Sequence, residues 1–539
     1  MSLSFLKNMN KLSISLLSIV SLSLISCSNT IKINSDFSYA STTYQKNGQD
    51  YSLSMNTLYT NQGNPHYDSF SKQRVLVVPL GFVDEGLQNI QTKENITKIK
   101  TVFFGGLEET SKVGGYYSVK EFYEQSSYGK SSFEGDVLDN WIIYPKTSSE
   151  FLENYKNEPV LGDGASKYVR EYYISEYNKP NHGQLGENAH PLTYYDQNND
   201  GFIDLLWIIH SHKSSMTNLT TWWSYVNYKN TSQNILNPEV KTYGFASIDT
   251  LTKGYNGYDS HLLIHETGHA YGLLDYYDYS NNWSPLGKID MMDSNVGDHN
   301  AFSKFTLGWL SPLVINDDAI ITLRDTSKTG DCFILPSPNY NNTVFDEYIM
   351  VEFISPNGFC YNDYSDSFGF TEPGVRITHC DARVFKDNHD AYLSNNPENG
   401  HFLRINNTKG GREGLKIDSD YFIASSGKKN FFSLLSLIEC KVKEDYNCLN
   451  NYSYQASNET LFKKGDYLNL TEKNKYTTLF LPSETNMWNK AKTINGWKNS
   501  TTQNQQIDES YTINFSLEIL DIIIDDNANY SVKIKIEKN

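Results

Sequence analysis

The most informative segment of this chain is His265-Glu266-Thr267-Gly268-His269-Ala270-Tyr271-Gly272-Leu273-Leu274-Asp275. Residues four apart share one face of an α-helix, so a helix over this run aims the imidazoles of His265 and His269 at one point. The pattern His-Glu-x-x-His on a helix is typical of zinc sites. Apolar residues precede the run and indicate that one side of the helix is buried. The spacing therefore predicts a metal-binding helix.

The other residues of the run suit hydrolytic chemistry. Glu266 follows the first histidine and can accept a proton from a water that zinc activates at neutral pH. Gly272 can end the helix and turn the chain back toward the metal. In metzincins the third residue after this glycine is the third ligand, usually His and in some families Asp, so Asp275 is the expected ligand here, with Asp278 as the reserve. Further on, metzincins place a methionine turn beneath the metal, and Met292 is the favoured candidate, ahead of Met291. The structural alternative is a core helix with two hydrogen-bonded histidines and a solvated glutamate.

Beyond these residues, the chain resembles the immune inhibitor A family of secreted zinc metallopeptidases over residues 70 to 390. The stretches that carry the resemblance are Tyr117-Ser118-Val119, Ser127-Tyr128-Gly129-Lys130, His265 through Asp278, Met292-Asp293-Ser294, Asn300 through Trp309, Glu347 through Phe353 and Pro373 through His379. The resemblance implies zinc-dependent endopeptidase activity, with His265, His269 and Asp275 as ligands and Glu266 as the general base. Cys360 and Cys380 depart from the family pattern.

Hydrophobic patterning divides the chain into two folded parts. Arg74 to Leu80 and Ile203 to Ile209 predict buried strands, while Glu94 to Phe104 and Ala165 to Tyr177 show helical spacing. After residue 312 short alternating segments dominate, as in a β-sandwich. We therefore expect an α+β fold, in which a metzincin-like catalytic domain over residues 71–312 combines a mixed sheet with the active-site helix. A β-rich, sandwich-like domain over residues 313–539 would follow it.

The amino terminus reads as an export signal. Lys7 and Lys11 precede an uncharged run of Leu, Ile, Val and Ser that ends at Cys27. The run is too short to span a bilayer comfortably. Residues 1–27 resemble a bacterial lipoprotein signal with Cys27 as the lipidated residue, and the alternative is a simple secretory signal. Residues 28–70 are then a tether, and the protein is expected at the extracellular face of the cell membrane or secreted.

A second metal signal lies in Asp196-Gln197-Asn198-Asn199-Asp200-Gly201-Phe202-Ile203-Asp204. Oxygen donors stand at positions one, three, five and nine, and glycine stands at six, as in the first part of an EF-hand loop. The bidentate glutamate of position twelve is missing, since Trp207 stands there. The loop indicates either a calcium site through Asp196, Asn198, Asp200 and Asp204 or an Asp/Asn-Gly turn.

Composition argues against a nucleic-acid partner and leaves three hypotheses of function. The net charge of −17 argues against nucleic-acid binding. The favoured reading is a zinc-dependent endopeptidase (a hydrolase) that acts on extracellular proteins or peptides, as a monomer. The alternatives are a surface adhesin or host-protein binder on a peptidase scaffold, and a gluzincin aminopeptidase with a distant glutamate ligand. Retention of Glu266 favours an enzyme, and the spacing of Gly272 and Asp275 argues against a gluzincin.

The remaining histidines and the cysteines carry less chemistry. His210, His212, His299 and His379 are expected to be structural, with His299 the one that could lie near the cleft. The cysteines after Cys27 show no paired metal spacing, and we expect no disulfide framework, with one or two bridges at most.

Overall fold

A computed structural model of the chain describes residues 37–41, 43–46, 49–52, 72–85, 90–106, 116–214, 221–252, 258–278, 284–337, 340, 342–359, 363, 369–382, 384–386, 400–402, 434–441, 453–471 and 513–539. The strands are β1 Phe37–Tyr39, β2 Thr43–Lys46, β3 Gln49–Ser52, β4 Lys72–Phe82, β5 Ser132–Val137, β6 Ile142–Tyr144, β7 Phe202–Ile203, β8 Leu205–His210, β9 Tyr225–Tyr228, β10 Glu239–Val240, β11 Thr242–Ser247, β12 Leu313–Ile315, β13 Ala319–Arg324, β14 Cys332–Pro336, β15 Glu347–Ile354, β16 Gly374–Asp381, β17 Val384–Lys386, β18 Gly400–Phe402, β19 Leu435–Ile438, β20 Tyr467–Asn469, β21 Phe515–Ile524 and β22 Tyr530–Lys538. The helices are α1 Lys93–Phe104, α2 Val119–Ser126, α3 Ser148–Asn154, α4 Leu161–Tyr177, α5 His261–Ala270, α6 Met291–Ser294, α7 Ala301–Thr306 and α8 Thr326–Thr329.

The first sheet has the strand order β5-β4-β8-β11-β9, with β6 beside the end of β4. Strand β4 pairs parallel with β5, β6 and β8, and β11 pairs parallel with β8. The outermost strand β9 instead pairs antiparallel with β11. The result is a mixed sheet whose antiparallel edge lies beside helix α5.

Both faces of this sheet are covered because its central strands are apolar at nearly every position. Successive side chains of a strand point to opposite faces. Val75 and Val77 of β4 join a cluster with α1, α2 and α5, whereas Leu76 and Val78 join a second cluster with α4 on the other face. Helix α5, which carries the His-Glu-x-x-His pattern, thus packs on one face of the sheet.

Two further sheets follow. Strands β1-β12-β14-β15-β16-β19 form a six-stranded sheet, and β13-β22-β21-β20 form a four-stranded sheet. One apolar cluster contains Phe333 and Val351 of the former together with Leu323 and Val532 of the latter. These two sheets therefore share a core, and the chain as a whole has the α+β class that its sequence predicts.

The core continues across the predicted division at residue 312. That position falls between α7 and β12, but the cluster around α5 also includes Ile334 of β14 and Met350 of β15. Neighbouring residues of those strands face the four-stranded sheet. The six-stranded sheet is therefore the layer that connects the site-bearing part to the rest of the chain.

Several sequence predictions concern segments at the margins of the described chain. The predicted signal segment and Cys27 lie outside the described residues. Within the predicted tether, β1 pairs antiparallel with β12, and β2 pairs with β3. Cys332 and Cys380 are buried free thiols. Over the described residues, none of the helices combines the length and the apolar character needed to cross a membrane.

Candidate metal centre

Helix α5 carries the His-Glu-x-x-His pattern through the core. Leu263 and Ile264 are fully buried, and the Tyr123 hydroxyl of α2 donates to the Ile264 carbonyl at 2.7 Å. His265 and His269 lie one turn apart, with ring centroids 4.9 Å apart and ring planes nearly perpendicular. Packing along the helix thus fixes the backbone that presents both imidazoles.

The helix ends at Ala270, just before Gly272, which takes a left-handed conformation with φ of 91°. The Leu273 amide then donates back to the Gly268 carbonyl at 3.0 Å. A residue with a side chain would be strained at that φ. This turn reverses the chain and brings Asp275 next to the two histidines.

Three potential ligands converge at the end of this turn. The Nε2 atoms of His265 and His269 lie 3.0 Å and 3.2 Å from Oδ1 of Asp275. Among the described residues, these three side chains form the group whose ligand atoms all lie within 4.8 Å of one another. Asp278, the reserve candidate, is fully buried and is not part of that group.

Each imidazole is oriented by a main-chain carbonyl. Nδ1 of His265 lies 2.7 Å from the Met291 carbonyl oxygen, and Nδ1 of His269 lies 2.8 Å from that of Leu273. A carbonyl only accepts hydrogen bonds, so each Nδ1 carries the proton and donates. Each Nε2 is then the nitrogen available to a cation, as in histidines that bind metals. Two imidazole nitrogens and one carboxylate oxygen are a donor set that suits zinc and leaves a coordination position open.

Asp275 and His269 each favour the charged form of the other. Burial acts to lower the pKa of His269, but the Asp275 carboxylate outweighs it, and that pKa rises to about 9. Burial acts to raise the pKa of Asp275, but the charge on His269 and the two imidazole hydrogen bonds hold it well below its usual range. Because a metal takes only the neutral imidazole, binding would release a proton from this group.

Below the helix lies a segment that we call the methionine segment, residues 289–301. Met292 is fully buried, and a Cβ at Gly268 would stand 2.5 Å from its sulfur. The Met292 carbonyl accepts the Tyr276 amide at 2.8 Å, one residue past Asp275. Met292 therefore supports the helix from beneath, whereas Met291 contributes the carbonyl that orients His265.

Glu266 contacts the edge of the first sheet. Its Oε2 accepts the Val226 amide of β9 at 3.1 Å, and the Tyr228 hydroxyl of the same strand donates to the His269 carbonyl. Burial raises the pKa of Glu266, partly offset by the two nearby histidines. A carboxylate with a raised pKa beside a metal-binding group suits proton transfer near neutral pH.

The loop predicted to bind calcium is closed by its own hydrogen bonds. The Asp196 carboxylate accepts the amides of Asp200 and Gly201 at 3.0 Å each, and Asn198 Oδ1 accepts the Asp200 amide at 3.1 Å. Oδ2 of Asp204 is buried without a hydrogen-bond partner, and burial raises the pKa of that carboxyl to about 7. These contacts describe an Asx-type turn, and calcium binding by the loop remains a prediction.

The other histidines stand apart from the ligand group. His299 lies among the rings of Phe122, Tyr123 and Trp309, and burial lowers its pKa well below the usual value. Burial likewise lowers the pKa of His210 to about 3. His212 pairs with Glu85 near the end of the first sheet, and His379 pairs with Glu347 in the six-stranded sheet.

Sequence reasoning missed three contributors to the site. They are the carbonyls of Met291 and Leu273 and the amide of Val226. A main-chain group does not depend on the identity of its residue, so the sequence gives no signal for these three groups.

Compared with protein-family models and with curated proteins, the chain matches none of them.

Proposed function

We propose that this protein is a zinc-dependent endopeptidase of metzincin type, with His265, His269 and Asp275 as zinc ligands. The observation that carries the proposal is the convergence of two Nε2 atoms and one carboxylate oxygen, each imidazole being held by a main-chain carbonyl. Two structural histidines in a core would each need a hydrogen-bond partner, but they would not need to share a single carboxylate oxygen as these two do. The left-handed Gly272 that returns the chain is in keeping with the metzincin arrangement.

Zinc bound to these residues would act as a Lewis acid on the scissile carbonyl and would activate a water as nucleophile. Glu266 takes the proton of the attacking water and passes it to the leaving amine nitrogen. Its burial supports this role, because a desolvated carboxylate has a higher proton affinity than an exposed one. The amide of Val226 keeps the Glu266 carboxylate close to the ligand group.

Strand β9 is the proposed docking edge for substrate. It is the outermost strand of the first sheet and contacts both Glu266 and the carbonyl of His269. An extended peptide can add to such an edge through main-chain hydrogen bonds, which recognise any sequence. We therefore expect cleavage within extended or unfolded polypeptides, at the outer face of the cell if Cys27 is lipidated.

The proposal is tested by digesting an unfolded protein and identifying the new termini by mass spectrometry. We expect internal cleavage, restored by zinc after chelation, and absent from the variants His265→Ala and His269→Ala, which should also lose zinc. Zinc retained by both histidine variants would refute the ligand assignment. Release of single terminal residues would favour an exopeptidase.

A further inference from the structure

A buried ion pair joins two neighbouring strands of the six-stranded sheet. Glu352 on β15 and Arg376 on β16 are register partners and are 2% and 7% exposed. Nε of Arg376 donates to Oε2 of Glu352 at 2.7 Å, and Nη2 donates to Oε1 at 3.0 Å. Burying two charges is costly, so such a pair is weak grounds for stability by itself. The role of the pair is therefore better judged from the residues that it holds in place.

The pair reaches out of its sheet to both ends of the methionine segment. Oε1 of Glu352 also accepts the amide of Ala301 at 2.9 Å, at the first residue of α7. Nη1 of Arg376 donates to the Ile289 carbonyl at 3.4 Å. Residues 289 and 301 are the two ends of the methionine segment, so one ion pair connects both ends to the six-stranded sheet.

Inside the segment, a buried carboxylate closes the loop. Asp290 accepts the Met292 amide at 2.8 Å, the Asn300 amide at 3.0 Å and the Asn300 side-chain amide at 2.9 Å. Between these contacts lies Met291, whose carbonyl accepts the hydrogen bond from His265. A short chain of contacts therefore runs from the ion pair to a ligand of the candidate metal centre.

We propose that Glu352 and Arg376 are positioning residues of the metal centre. By fixing both ends of the methionine segment, they hold the Met291 carbonyl where it orients His265 with Nε2 toward Asp275. The effect on metal binding rests on the proposed function, whereas the fixing of the segment does not. The six-stranded sheet is then part of the metal site, because it holds the segment that orients His265.

The test compares three double variants of the full protein. Glu352→Leu with Arg376→Met removes the pair without leaving a lone buried charge. Glu352→Gln with Arg376→Met keeps an acceptor for the Ala301 amide and should rescue part of the effect. The matched control is Glu347→Leu with His379→Met, which removes another buried pair of the same two strands. Its glutamate lies five residues from Glu352, about 16 Å along the strand.

Two readouts are needed. The first is amide hydrogen exchange of peptides covering residues 289–301 in metal-free protein, which reports local opening. The second is zinc affinity, measured by competition with a chromogenic chelator. Loss of a residue that orients a ligand costs 10–100-fold in affinity, and we expect about tenfold here because the action is indirect. The Leu/Met variant should show faster exchange and weaker zinc binding, the Gln/Met variant a smaller change, and the control neither.

The outcomes separate the two proposals. Unchanged exchange in the Leu/Met variant would show that the pair does not fix the segment. If the Leu/Met variant shows faster exchange but binds zinc as tightly as the wild type, then fixing the segment does not position His265. If the Leu/Met variant fails to fold, the Gln/Met variant is compared with the control in the same way. A wild-type protein that binds no zinc would overturn the proposed function and the positioning role, leaving exchange to decide only whether the pair fixes the segment.

Discussion

Replacing Gly268 by alanine would place a Cβ 2.5 Å from the sulfur and 3.1 Å from the terminal carbon of Met292. Met292 is fully buried and lies against helix α5, so it has little room to withdraw. Overpacking a core in this way costs about 1–3 kcal/mol, and the gain in helix propensity from glycine to alanine returns at most about 1 kcal/mol. We therefore expect Gly268→Ala to lower the free energy of unfolding by about 1–2 kcal/mol. Zinc affinity should fall as well, because Gly268 lies between the two proposed histidine ligands.

The assay is a double-mutant cycle with Met292→Val, followed by urea unfolding and by zinc competition. Valine ends at the γ position and has no atoms where the methionine sulfur and terminal carbon lie, so the double variant should be more stable than the sum of the single changes, by about 1 kcal/mol. Gly106→Ala is the control, since no atom lies within 4 Å of a Cβ at that position. Additive effects of the two changes at Gly268 and Met292 would refute the close contact beneath the helix.

Three further predictions follow from described side chains. His261 lies between the carboxylates of Asp259 and Asp363. Burial acts to lower the pKa of His261, but the two carboxylates outweigh burial and raise that pKa to about 9. The folded state gains at most about 3 kcal/mol from this, a gain that is complete below pH 6.5 and is lost as the pH rises toward 9. Thermal unfolding against pH should therefore show a decline over that window that His261→Gln removes, and an identical decline in the variant would contradict this account. Asp275→Ala should weaken zinc binding strongly in the chelator competition, and equal affinity in wild type and variant would exclude Asp275 as a ligand. If the calcium prediction holds, millimolar calcium should raise the melting temperature of the wild type and not that of Asp204→Asn, whereas no shift in the wild type would leave the loop as a turn.

The parts of the fold that the sequence predicts are those that depend on local pattern. Helix α5 and strand β4 lie where periodicity and apolar runs place them, because each is specified by residues within a few turns or pleats. The return of the chain at Gly272 is likewise local, since it depends on one residue that tolerates positive φ. For the same reason the spacing from His269 through Gly272 is enough to propose Asp275 as a ligand.

The remaining features depend on contacts between distant residues. Strand β1 has only three residues, too few for a periodic pattern to show, and its partner β12 lies more than 270 residues further along the chain. In the sequence, Glu352 and Arg376 are ordinary charged residues within predicted strands. Their contacts with the methionine segment arise only because the six-stranded sheet packs against that segment. The Val226 amide at Glu266 also depends on how β9 joins the sheet.

Zinc-dependent hydrolysis with Glu266 as the base is tested by comparing Glu266→Gln with the wild type. Glutamine keeps the size of the side chain and an oxygen for the Val226 amide, but it cannot take up the proton of the attacking water. We expect both proteins to hold one equivalent of zinc and only the wild type to cleave unfolded casein, with that cleavage abolished by a zinc chelator. Cleavage by Glu266→Gln at the wild-type rate, or by wild type freed of zinc, would contradict the account.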